Sequence, residues 1–178
     1  FRLPKNFKPF PSSFVSESTD GIFGVWEEDA RKVVRMELGT GVASGQSLTT
    51  TGEVVFEAES NISMAVALGK DVYYVMSESR NVLRRHGLVS SGRYELLSSI
   101  VMPRSIRELK LADGRIFLLL EKDTKLYMVS PDSSIKLVGN LPLIGSRLSY
   151  GFSGNEASDV VQDVLMMKDK VTHVLFVP

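Results

Sequence analysis

Short apolar runs of strand length, separated by polar turns, recur along this chain. The clearest stretch is Asp113–Gly139, where Ile116–Leu120, Leu126–Val129 and Ile135–Val138 are divided by the charged segment 121–125 and by Ser130-Pro131-Asp132-Ser133-Ser134. Side chains alternate faces along a strand, and Asp, Gly, Ser and Pro supply turn geometry, so the pattern predicts an antiparallel meander. Ile106–Leu111 adds a fourth strand, although a segment that short is also compatible with a helix. The same alternation predicts strands at 22–26, 33–38, 53–59, 72–76, 82–85, 94–102 and 171–177. Gly39–Gly52 and Leu141–Gly154 read as loops. Asn155–Met167 is the best helix candidate, with Asn155 as cap and Val160, Val161, Val164 and Leu165 as its apolar face.

The first sixteen residues differ in kind. Phe1, Phe7, Phe10 and Phe14 alternate with Pro4, Pro9 and Pro11, and no acid precedes Glu17. Proline opposes helix and withholds a ladder hydrogen bond, so residues 1–16 are expected to form an extended arm whose rings dock on the chain's own core or, as the alternative, on a partner. Residues 17–178 then form an antiparallel β domain of about four repeat-like units. Because the first residue is Phe1, the chain reads as a piece of something longer.

Aligning the runs shows one local grammar: a turn with Asp, Gly or Lys, an apolar strand, a charged turn and a second strand. The matching starts are Ile22, Val72, Ile116 and Val171, about 44 to 55 residues apart, against roughly 40–50 for four-stranded propeller repeats. In this strand grammar and period the chain resembles β-propeller blades of the WD-repeat or kelch kind, which implies an all-β, mainly antiparallel fold of propeller-like blades. It carries no Trp-Asp dipeptide, Gly-His pair or double glycine of those families. A second architecture also fits the pattern: two small antiparallel sheets with a helix each, similar to tandem polo boxes and implying phosphopeptide binding, or another β-sandwich or barrel.

Composition narrows the chemistry. The 178 residues hold 21 basic and 21 acidic side chains, 43% hydrophobic residues and no cysteine. A neutral chain exerts no global pull on nucleic acid or anionic membrane, and disulfides and zinc–thiolate sites are excluded. No apolar run approaches the roughly 20 residues that span a bilayer, so no membrane partner is expected, and an intracellular setting is slightly favoured. Gly151-Phe152-Ser153-Gly154-Asn155 misses the nucleophile-elbow pattern at its last position, and Gly39–Gly45 has one residue too many for a dinucleotide loop. Ser130–Ser134 matches the sialidase Asp-box in part, a turn motif that carries no catalytic group. His86 and His173 lack companions at metal-ligand spacing. No catalytic residue, metal site or cofactor is therefore assigned.

Charge is most uneven between Arg80 and Arg115. Arg80, Arg84, Arg85, Arg93, Arg104 and Arg107, together with His86, make the candidate contact surface, because a guanidinium fork fits carboxylate or phosphate. The resulting expectation is a non-catalytic interaction or scaffold domain docking an acidic or phosphorylated protein partner, with nucleic acid ranked lower for want of interleaved aromatics. The other class is a carbohydrate-active or ligand-binding propeller enzyme.

Overall fold

The computed structural model describes residues 3–11, 21–36, 52–112, 114–130 and 132–141, and the backbone of three strands at 148–153, 162–167 and 174–177. Every regular element among the described residues is a strand, and every pairing is antiparallel. The fold is all-β, built of sheets of the propeller-blade kind in which sequential strands are spatial neighbours. The chain divides into two compact units, Phe1–Val101 and Met102–Pro178.

In the first unit, β1 (Phe7–Pro9), β2 (Ile22–Trp26), β3 (Asp29–Met36) and β4 (Gly52–Glu57) lie side by side in that order. The Phe/Pro-rich arm is thus in part a strand, β1. Pro9 is tolerated because β1 is the sheet's edge, where a missing N–H leaves no ladder bond unmade. Phe7 and Phe10 are buried, Phe7 meets Trp26 edge-on at 5.5 Å, and the Phe10 N–H donates to the Phe23 carbonyl. Gly24 permits this approach, since a Cβ there would run into the Lys8 carbonyl and the Phe7 ring.

The second sheet runs β5 (Ile62–Leu68), β6 (Asp71–Met76), β7 (Ser79–Leu88) and β8 (Tyr94–Val101). Gly69, at φ +60, makes the two-residue turn between Leu68 and Asp71. Alternation along the strands builds the core between the two sheets. Phe23, Val25, Val33 and Phe56 from the first pack with Ala67, Val72, Tyr74 and Met76 from the second, while Phe7, Val34 and Met36 cluster separately. The Ala67 N–H donates to the Pro11 carbonyl and ties the start of the second sheet to the end of β1.

In the second unit the predicted meander is β10 (Arg115–Leu120), β11 (Lys125–Val129) and β12 (Ile135–Asn140), preceded by β9 (Ile106–Ala112) as its fourth strand. Ile106–Leu111 is therefore strand, not helix. From Ile116 to Leu120 every side chain is buried, so β10 has no solvent face, which explains its unbroken apolar run. Leu126 and Leu141 join Phe117 and Leu119 on one side.

The remaining sheet is β13 (Leu148–Ser153), β14 (Gln162–Met167) and β15 (Val174–Val177). Two expectations need correction here. The helix expected over Asn155–Met167 is strand in its described part, because Gln162–Met167 pairs residue for residue with β13. Part of the expected loop Leu141–Gly154 is β13. With four-stranded sheets and no helix among the described residues, the polo-box-like arrangement of two helix-bearing sheets is not the one adopted. His173, Asn155 and the loop from Gly39 to Thr51 lie outside the described residues.

Candidate functional site

β7 carries the richest chemistry of the described chain, and its period of two decides what that chemistry can do. Arg84 pairs with Tyr74 and Arg85 with Tyr73, so the two adjacent arginines stand on opposite faces of the second sheet. On one face Arg85 sends Nε and Nη2 to Oδ2 of Asp71 at 2.9 and 2.6 Å, and its guanidinium lies over the Tyr73 ring at 5.6 Å. Burial, with a smaller push from Asp71, raises the Tyr73 phenol above its ordinary value against the pull of Arg85. On the other face Arg84 donates from Nη1 to Ser79 Oγ at 2.9 Å.

His86 shares that second face and sits in the seam between the two sheets. Its ring stacks on Phe56 at 4.0 Å and 6°, and its Nδ1 is 3.0 Å from the Tyr74 hydroxyl. Tyr94 lies 6.4 Å from Phe56 and 5.9 Å from Phe23, closing an aromatic cluster drawn from both sheets. Burial lowers His86 to about 4 and raises Tyr74 to about 12. At neutral pH both groups are uncharged, and the hydroxyl and Nδ1 share a hydrogen bond whose direction follows the tautomer of the ring. General acid–base work needs groups poised near the operating pH. Burial pushes Tyr74 and His86 away from it in opposite directions, and their stacking and hydrogen bond hold the seam.

The remaining basic residues are dispersed. Arg80 and Arg93 are exposed at opposite ends of the β7–β8 hairpin, about 25–30 Å apart at roughly 3.3 Å per residue. Arg104 donates to the Lys122 carbonyl at 3.3 Å, and Arg107 is half-buried on β9; both belong to the second unit. The structure brings Arg84 and His86 to one face, sets Arg85 on the other, and gathers no continuous basic surface on β7. Phe56, Tyr74 and Tyr94 were not singled out from sequence. Residues 72–76 read as a strand from sequence, but nothing in the sequence names Phe56 as the neighbour of Tyr74. Among the described residues, no group of three His, Asp or Glu side chains is placed to hold a metal ion.

No protein-family model and no curated protein matches the chain. A crystal structure from Bacteroides uniformis, described as a "putative 6-phosphogluconolactonase", is similar at 16% identity and a TM-score of 0.48. The similarity covers 93% of this chain and 52% of the other, so the chain spans about half that protein's length. The expectation of a non-catalytic scaffold docking a partner through a basic face is corrected at this point. The arginines that motivated the docking surface are split between the two faces of one sheet and between the two units.

Proposed function

We propose that the chain forms consecutive blades of a β-propeller that holds a small-molecule site, catalytic or ligand-binding. The observation that carries this reading is the repeated four-stranded meander. The second strands begin at Ile22, Asp71, Arg115 and Gln162, roughly 45 residues apart, the period of four-stranded propeller repeats. Each sheet starts at one edge and proceeds strand by strand to the other, the order a blade takes from the axis of a propeller outward. The WD-repeat or kelch likeness of the sequence belongs to the same proposal. Arg84 and Arg85 of β7 support it too, because they bond to Ser79 and Asp71 within their own sheet.

A panel of sugar lactones, with and without phosphate, tests the reading on the full chain and on any longer chain that contains it. The first readout is a saturable rise in unfolding temperature, since a ligand that binds only the folded form stabilises it by mass action; the second is lactone hydrolysis. One compound class giving either signal supports the proposal. No response to the panel or to a broader metabolite set, from a chain that contains a closed ring of blades, contradicts it.

A further inference from the structure

The first strands of two sheets share an irregularity at one position. Ile62 pairs with Met76 and Met64 with Val75, so Ser63 is an extra residue on β5 with no counterpart on β6. Ile106 pairs with Leu120 and Glu108 with Leu119, so Arg107 is the extra residue on β9. Each is the second residue of its strand, and each lies beside the same closing bond. The Ser77 N–H donates to the Asn61 carbonyl, and the Glu121 N–H to the Ser105 carbonyl, just before the strand begins. The two bulges are therefore equivalent features of the repeat. The fourth strands β4, β8 and β12 are bulged as well, but at Val55, Leu97 and Val138, all apolar. Lys8, second on β1, stays in regular register and is bridged to Glu27 at 3.4 Å.

A bulge takes one side chain out of its strand's alternation and re-aims it, which is why bulges gather beside functional sites. Ser63 is exposed and donates its hydroxyl to the Val75 carbonyl at 3.0 Å. Arg107 is half-buried and follows the fully buried Ile106. Charge on an edge strand also averts unwanted pairing. Glu108 and Lys110, in regular register and 3.9 Å apart, serve that end on β9, whereas Arg107 is the residue taken out of register. We propose that Arg107 is a recognition residue for the small molecule of the propeller site, and that this molecule carries an oxyanion, carboxylate or phosphate. The inference rests on the propeller reading above, in which the first strand of a sheet faces the axis. A guanidinium offers a planar pair of N–H donors that matches either oxyanion, and partial burial strengthens the attraction by lowering the local dielectric.

The test is the unfolding temperature of the full chain, and of any longer chain that contains it, titrated with gluconate, a glucose phosphate and glucose. Wild type is compared with R107Q, R107K and, as a control at the exposed β7–β8 hairpin, R93Q. Wild type and R93Q are expected to show a saturable rise with gluconate or with glucose phosphate, and the compound that acts identifies the oxyanion. R107Q should need about 10- to 100-fold more of it for the same rise, the worth of a hydrogen-bonded charged pair. R107K keeps the charge but loses the fork, and should fall between. Should circular dichroism show R107Q unfolded, R107K carries the comparison, and equal half-saturation for R107K and wild type overturns the inference. A response of wild type to neutral compounds alone, a rise equal in wild type and R107Q, or an equal loss in R93Q overturns the inference and leaves the propeller reading standing. No rise in wild type with any of these compounds or with the lactone panel overturns both.

Discussion

His86 shows how a single side chain acquires its properties from a seam. An imidazole stacked on Phe56 and bonded to the Tyr74 hydroxyl has lost much of the water that would solvate its charged form, so the neutral ring is favoured and the value falls from 6.5 to about 4. The folded value lies below the unfolded one. The stability His86 contributes is therefore complete above about pH 6.5 and is lost progressively as pH falls from there toward 4. Urea midpoints measured across that window should drop for wild type and drop less for His86→Phe, which keeps a stacked ring but cannot take a proton. Equal slopes for the two chains would show that His86 carries no part of the acid sensitivity. The charge run that led from sequence to a basic surface fails at this same scale. Counting charge along the chain ignores the strand's period of two, and Arg84 and Arg85, one residue apart, end on opposite faces.

At the scale of elements, burial separates strands that look alike in sequence. β10 is buried on both faces whereas β12 exposes Leu137 and Val138, although both read as apolar runs. Leu118→Ala should cost about 2–5 kcal/mol, the range for emptying a fully buried leucine site, and Leu137→Ala less than about 0.5 kcal/mol. Chemical denaturation of both variants measures the contrast, and comparable losses would contradict the assignment of faces. The strands best read from sequence were those bounded by turn residues, as in the meander β9–β12, where Asp113-Gly114 and Ser130–Ser134 punctuate the apolar runs. β1 was not legible, because three residues in a proline-rich stretch become a strand only through a partner that Gly24 lets approach. β14 was misread because valines at 160, 161 and 164 fit a helical face as well as an extended one. Pairing with β13 decides between them, and such pairing is invisible in local sequence. The fourth unit was started from sequence at Val171, which lies outside the described residues, whereas the second strand of the last sheet begins at Gln162.

At the scale of the molecule, the account depends on one repeated unit of sequential antiparallel strands, four in each of three sheets and three in the last among the described residues, with β6 and β10 the most buried. Length and hydrophobic content indicated a folded β domain, and the approximate period indicated repetition. Which loops would hold the ligand of the proposed site was not legible, because no short motif in the sequence marks one. Hydrogen exchange of backbone amides, followed peptide by peptide across the full chain, tests the repeat most directly, since protection reports where ladder bonds are made and how deeply they lie. The account predicts the slowest exchange in β2–β3, β6–β7 and β10–β11, recurring along the chain with fast-exchanging turns between, and protection of β14 that is strand-like and dependent on β13. Fast exchange throughout β6 and β10, or protection running continuously from Asn155 to Met167 as a helix would give, would contradict it.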